Sequence, residues 1–503
     1  MRRAGPLDGA FFGLEAPGHP LHGMAILVLD PATVPGGYSF ARFRRSIAGR
    51  LPGIPPLRQR AVPVPMGLAR PGWVDSEVDI RDHVFRHVRT GATLADVASY
   101  AAGIATIPLD RRKPLWEMHV VEGLDDGSVA IVAKVHHSLM DGIAGMEFLA
   151  GMFSLGPQAD PVKEVHGAGR WTPGPTTALA LAAPEMAGTP LRLARALAET
   201  GRAGWRVVRI ARRQGPVAFP QPASMRWSGP LGSRRSIALS SLPLAEVKEV
   251  CRTSGTTVND VVLSVVGGAC RAYLLERDEL PATSLTAVVP VSTHEVDGGR
   301  RDGKAAVDAA NAVSLMIGTV GTEIADPLER LVAVHEGMVR AKRLHDALGG
   351  NWLTKWVGVV NPLVMGAASR LYLALNIPRR APIVPNVLVS DVPGPPVPLY
   401  FCGARLMGLF PLGPVYDGVG LNVTAVGFAG SLGIGLVSSP NVVDDLPALA
   451  AGLRVEFDAL RAVLSVSSAA APGKGSARDG GAPANGTGPT SRSSQWSGPA
   501  SIR

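Results

Sequence analysis

Cysteine is scarce in this chain: Cys251, Cys270 and Cys402 are the three in 503 residues, far apart and odd in number. That excludes a disulfide framework and a cysteine-built zinc site, and it fits a reducing, cytoplasmic setting. Charged residues are sparse at 18%, and aromatics make up 5%. No apolar run is long enough to span a bilayer. The best candidate runs from Trp356 to Ser369 between Lys355 and Arg370, is too short, and is interrupted by Asn361-Pro362. It reads as a buried helix or a surface-docking element. Met1-Arg2-Arg3 leads into Ala-Gly-Pro-Leu-Asp without the apolar centre of a signal peptide. Zinc-finger, RNP and bZIP-like patterns are also missing, so the net charge of +9, carried mainly by arginine, does not point to nucleic acid. It fits a solvated arginine surface first, and beyond that a patch facing anionic lipid or a phosphorylated cofactor.

What is present is a large apolar content, 46% of a chain long enough for two domains and a substantial core. One short stretch carries chemistry: His136-His137-Ser138-Leu139-Met140-Asp141-Gly142. Such an HHxxxDG pattern arises by chance roughly once in a thousand chains of this length. Histidine is the side chain best suited to take and return a proton near neutral pH. Asp141 can order a local turn or hold a distant arginine, and Gly142 permits a tight turn. The motif suggests proton transfer needing neither a metal nor an organic cofactor. The competing structural reading is a satisfied core histidine followed by a cap and a turn.

The flanking residues support a site. Val129 to Val135 is a β-branched apolar run that reads as a buried strand, 129–137. Alternation puts Val129, Ile131, Ala133, Val135 and His137 on one face and Lys134 with His136 on the other. Only one of the two histidines can then face a given cleft. Beyond the motif, Met146, Leu149 and Phe153 recur at helical spacing, with Asp141 as N-cap.

Four segments emerge along the chain. Residues 1–155 contain strands at 24–30, 115–122 and 129–137 and helices at 38–50 and 93–107, and they carry the motif. Composition shifts to Pro, Gly, Ala and Arg over 156–235, which reads as a crossover linker. Within it Arg202, Arg206, Arg209 and Arg213 form a basic stripe beside Trp205, Val208 and Ala211. Such a helix suits an anionic membrane surface, or packs on its own domain with its arginines solvated. A second compact unit, 236–464, has helices at 242–252, 257–277, 326–345 and 444–464 and strands at 285–291, 386–390, 419–426 and 432–438. The rhythm is not strict βαβ, so a mixed-sheet α/β or α+β architecture is expected. The tail 465–503 is rich in Ser, Ala, Gly and Pro and reads as disordered.

These residues resemble the bacterial wax ester synthase/acyl-CoA:diacylglycerol acyltransferase family. Pro6-Leu7-Asp8 through His22 is similar to its N-terminal signature, and Pro108 to Glu117 to its PLDxxRPLWE segment. HHSLMDG follows, then Thr257-Val258-Asn259-Asp260, Ser390-Asp391-Val392-Pro393-Gly394-Pro395 and Gly420-Leu421-Asn422-Val423. The similarity covers about 6–465 in consistent order. Three positions depart from it: Lys113 for the arginine of RPLWE, Ser228 for the asparagine of Asn-Gly-Pro, and Asp391 for the asparagine of Ser-Asn-Val-Pro-Gly-Pro. They bear on substrate range and activity.

The resemblance implies two chloramphenicol-acetyltransferase-like domains with a tunnel at their interface. It implies fatty acyl transfer from acyl-CoA to diacylglycerol, to a long-chain alcohol, or to both. His137 is then the general base, His136 supports it, and Asp141 and Gly142 are structural. Asn259 is a candidate for positioning substrate, with a helix-cap role as the competing reading; Leu115 and Trp116 are candidates for shaping the acyl channel, with core packing as theirs. Acyl-CoA is a substrate, so no cofactor and no metal are implied. The partners are lipid substrates, with a peripheral place on the inner face of the membrane or on a lipid droplet. Two alternatives stay open: a condensation-type or polyketide-associated acyltransferase using a carrier-protein donor, and a non-catalytic lipid-surface binding protein.

Overall fold

Seven strands form the first sheet, in the order Val84–Ala92, Trp116–Leu124, Val129–His136, His22–Asp30, Ala404–Leu412, Tyr400–Phe401 and Phe153–Ser154. The computed structural model describes residues 2–15, 18–139, 151–158, 173–214, 220–292, 313–348, 362–375 and 385–470. A second sheet of six strands has the order Val313–Thr319, Thr286–Ser292, Val387–Val392, Leu421–Phe428, Ser431–Ser438 and Ser236–Pro243. Helices pack on both, and the fold is mixed α/β with two domains.

The division by sequence is not a division in space. Tyr400–Phe401 and Ala404–Leu412 belong to the second half of the chain, yet they pair in the first sheet, Ala404–Leu412 against His22–Asp30. The contiguous 236–464 unit therefore lends two strands to its neighbour. Glycine makes the junction possible. A Cβ on Gly433 would sit 2.2 Å from the Leu409 carbonyl oxygen, and one on Gly435 2.0 Å from that of Pro411. Strand Ser431–Ser438 can approach strand Ala404–Leu412 so closely only because both residues lack side chains.

Local signals set the helices. Thr93 and Asp96 form a reciprocal capping box at the start of Leu94–Ala105, and Thr257 and Asp260 do the same for Val258–Leu275. Gly255, at φ 69°, closes the preceding helix Leu244–Ser254 in the left-handed conformation. The last helix, Leu446–Ala470, buries Leu446, Leu449, Leu453, Phe457, Leu460 and Leu464 at helical spacing. It continues past 464, so residues 465–470 of the expected tail are helical; the rest of the tail lies outside the described residues. Phe153, expected on a helix with Met146 and Leu149, is in a short strand paired with Tyr400–Phe401. Its aromatic ring fits a cross-strand contact with Phe401, 5.2 Å between centroids.

The histidine strand, Val129–His136, is buried along its whole length. Val129, Ile131, Ala133 and Val135 pack into the first domain's own core, whereas Ala130 and Val132 join the core that runs into the second domain. Alternation thus divides the strand between two cores and carries the motif to the seam.

Candidate active site

The strand ends at His136, and His137 opens a short 3-10 turn, His137–Leu139. The expected strand over 129–137 stops one residue early, and the turn takes His137 out of the simple alternation. Both backbones are anchored. The His136 amide donates to the Leu115 carbonyl at 2.9 Å, and the His137 amide to that of Leu21 at 2.9 Å. Asp141 and Gly142 lie outside the described residues.

The two imidazoles have different surroundings. The Ser138 amide donates to His136 Nδ1 at 3.2 Å, with the Ser138 hydroxyl 2.6 Å from the same nitrogen. Nδ1 is therefore an acceptor, which leaves the proton on Nε2. That nitrogen lies 3.7 Å from a Glu15 carboxylate oxygen. Phe12 stacks on the His136 ring with centroids 4.6 Å apart, while Phe11 meets the His137 ring edge-on at 4.6 Å. His137 is partly exposed, but its Nδ1 is enclosed and has no hydrogen-bond partner among the described residues. Burial, aided by neighbouring His136, pulls His137 down to about 4. It is thus a neutral imidazole at physiological pH, the form that can accept a proton.

Three residues not singled out from the sequence complete the cluster. His22 pairs across the sheet with His136, and its Nε2 is 3.9 Å from Glu15. Burial, then the charge of Lys134, brings His22 to about 3. Glu15, just past helix Pro6–Leu14, faces both histidines and ion-pairs with Arg111. Burial works to raise its pKa, but His136 and Arg111 outweigh this and hold Glu15 at about 2. Arg111 also lies over the Phe12 ring, 5.3 Å from its centroid. The only sequence signal for these three is position: Glu15 and His22 fall in the first family-like segment and Arg111 in the second. Lys134, fully buried, is 3.5 Å from Glu117 and donates to the Ile107 carbonyl.

The other candidates fall elsewhere. Leu115 and Trp116 are buried in the first domain's core, with the Trp116 indole N–H donating to the Leu57 carbonyl at 2.9 Å and its ring stacked on His83. Leu115 reaches the site through its backbone, as the acceptor for His136. Asn259 is half-buried in the first turn of Val258–Leu275, where Thr257 is the N-cap and Asp260, which closes the capping box, also contacts His335 at 2.8 Å. Asn422 is buried and donates to the Pro414 carbonyl at 3.0 Å. Of the three departures, Lys113 pairs with Asp82 at 2.9 Å, and Ser228 is buried and accepts from Asn386 at 3.1 Å. Burial raises Asp391 to about 6.

At the seam a cavity of about 20 Å³ is lined from both domains, with His22 and Met24 on one side and Arg235 and Val437 on the other. It has room for about one water and not for an acyl chain. Among the described residues no group of three or more His, Cys, Asp or Glu is arranged to hold a metal ion. Among the described residues one helix, Val258–Leu275, is long and apolar enough to cross a membrane, and it is mostly buried inside the protein.

Residues 5–262 match the model of the wax ester synthase/diacylglycerol acyltransferase catalytic domain, and residues 309–461 that of the C-terminal domain of the same family. A putative diacylglycerol O-acyltransferase of Mycobacterium tuberculosis is 36% identical over 461 residues, covering 90% of this chain and 88% of the relative. A probable diacylglycerol O-acyltransferase of the same species is 31% identical over 476 residues, covering 92% and 99%. Among solved structures, the wax ester synthase/diacylglycerol acyltransferase from Marinobacter aquaeolei aligns with a TM-score of 0.65 at 25% identity, covering 92% of this chain and all of that one. The first condensation domain of the calcium-dependent antibiotic synthetase shares the fold, with a TM-score of 0.56 at 16% identity and coverage of 92% and 97%.

Proposed function

The chain belongs to the wax ester synthase/diacylglycerol acyltransferase family and is an acyltransferase, and from that premise we propose that it moves a fatty acyl group from acyl-CoA to diacylglycerol, to a long-chain alcohol, or to both. The observation that carries the proposal is His137: a neutral imidazole just past the end of a buried strand, with its backbone pinned by Leu21.

A thioester is already activated, so the protein has to orient an alcohol and manage one proton. His137 takes the hydroxyl proton as the alcohol oxygen bonds to the thioester carbonyl carbon. The tetrahedral intermediate collapses, the carbon–sulfur bond breaks, and the imidazolium returns the proton to the departing CoA thiolate. The acyl group passes directly between the two substrates, and no acyl-enzyme forms. His136 supports His137 through the turn that Ser138 closes. Neither a metal nor an organic cofactor enters this scheme. The two substrates would reach His137 from opposite sides through an interdomain tunnel.

The substrates are water-insoluble, and a peripheral place on the inner face of the membrane or on a lipid droplet follows from that. Helix Thr189–Gln214 is the candidate contact: Trp205 is 63% exposed, and Arg202, Arg206 and Arg209 are exposed along the same helix.

The test is to offer purified protein labelled acyl-CoA with hexadecanol or with diacylglycerol, and to resolve the lipid products. Wax ester, triacylglycerol or both should form with stoichiometric CoA release. Release without either product, or labelled protein after incubation with acyl-CoA alone, would contradict direct transfer to a lipid alcohol.

A further inference from the structure

Helix Pro362–Ala374 docks on helix Pro6–Leu14 at a glycine contact: a Cβ on Gly366 would lie 2.5 Å from the Gly13 carbonyl oxygen. Beside this contact opens a pocket of about 480 Å³, within the range of small-molecule sites. Its apolar wall includes Phe12 and Val64. Among the described residues its polar lining is one-sided: Arg60, Arg111, Arg112 and Arg370 against a single carboxylate, Glu15. Arg112 is taken up by Asp110 at 2.9 Å and Arg111 by Glu15, whereas Arg370 has no carboxylate partner among the described residues. Four guanidiniums around an apolar wall suit an anion with an alkyl tail.

We propose that this pocket binds an acidic amphiphile, a phosphate or carboxylate headgroup on an alkyl chain, and that the headgroup competes with Glu15 for Arg111. The tail lies along Phe12 and Val64, and the head meets Arg370 and Arg111. The occupant is in contact with the active-site cluster without being a reactant there, because Phe12 stacks on His136 and Glu15 faces both His136 and His22. A headgroup that draws Arg111 away leaves the Glu15 charge facing the two histidines alone. A lipid with an acidic head can thereby adjust the site that processes neutral lipid. Binding does not depend on His137 acting as a base, so it is measured without turnover.

The experiment is equilibrium binding of dodecyl phosphate and of dodecanoate to the whole chain, with dodecanol and CoA as controls. Competition with Glu15 gives substitutions of opposite sign. Arg370→Gln and Arg111→Gln should each weaken binding by about tenfold, while Glu15→Gln, which frees Arg111, should tighten it several-fold. Circular dichroism checks that each variant is folded, and Arg370, exposed on its helix, is the substitution least able to disturb the fold. Tighter binding of the phosphate than of the carboxylate identifies a phospholipid-type head, and the reverse order a fatty acid. Equal binding of dodecanol would overturn the proposal. Displacement of dodecyl phosphate by CoA alone would assign the arginines to the donor's phosphates and overturn the lipid reading. Unchanged affinity in Arg370→Gln, or weaker binding in Glu15→Gln, would do the same for the headgroup site.

Discussion

His136 and His137 are adjacent in sequence and unlike in environment. His136 is held by Ser138 on one nitrogen and faces Glu15 with the other; His137 meets the Phe11 ring and has an enclosed nitrogen without a hydrogen-bond partner among the described residues. For His137 as base, the neutral ring is the active form. Burial first, then His136, lowers its pKa to about 4, so acid should not inactivate the enzyme at the ordinary imidazole value. We expect kcat/KM to be flat from pH 7 to about 5 and to fall toward pH 4, measured in brief assays that outrun acid unfolding. Half-loss near pH 6.5 would show that the titrating base is a solvated histidine. The histidine pair was legible in the sequence because its residues are contiguous. Glu15, His22 and Arg111 were not, because the fold alone brings positions 15, 22, 111 and 136 together.

At the scale of elements, the strands and helices with clear periodicity were legible: the expected strand 24–30 is His22–Asp30, and the expected helix 257–277 is Val258–Leu275. Strand Ala404–Leu412 gave no such signal. Its Gly408 and Pro411 break the pattern of a strand, and it pairs with residues almost 400 positions earlier, which no local pattern can announce. The glycines facing it give a prediction. Gly435→Val would drive a side chain into the Pro411 carbonyl, and overpacking of this kind typically costs about 1–3 kcal/mol. Its melting temperature should drop by several degrees, with activity falling more than stability because the seam is displaced; an unchanged melt would mean the strands are not so close. Helix Thr189–Gln214 gives a second. Attraction of a basic residue to an anionic surface is worth about 1 kcal/mol and is screened by salt. Flotation with anionic vesicles should weaken at high ionic strength and in the triple variant Arg202→Gln, Arg206→Gln, Arg209→Gln. Undiminished flotation of that variant would remove this helix as the anchor and leave the exposed Val364 and Leu371 of Pro362–Ala374 as the next candidates.

At the scale of the whole molecule, several buried titratable groups at one seam tie stability to pH. His22 and His137 have folded values of about 3 and about 4, below the 6.5 of an unfolded histidine. As pH falls through 6.5 the unfolded chain takes up protons that the folded chain refuses, so stability is lost from there down to the folded values. Glu15, at about 2 against 4.5 unfolded, adds stability above pH 4.5 that is lost as pH falls toward 2. All three act in the same direction. Taking the protein from pH 7 to pH 5 should cost on the order of 2–4 kcal/mol, read as a lower Tm in calorimetry; an unchanged or higher Tm would contradict the lowered values of the two histidines. The two-domain, mixed α/β organisation was legible from length and from the order of motifs. The loan of Tyr400–Phe401 and Ala404–Leu412 to the first sheet was not, since it is a property of long-range pairing.

The role of His137 as the base of a direct acyl transfer is tested by comparing His137→Ala with the wild type. The measurement is acyl transfer from labelled acyl-CoA to a lipid alcohol, with folding checked by circular dichroism. Loss of a general base costs about 10²–10⁴-fold, so the folded variant should lose transfer by that factor, with CoA release falling in parallel. A folded His137→Ala protein that transfers acyl groups at close to the wild-type rate would contradict the assignment.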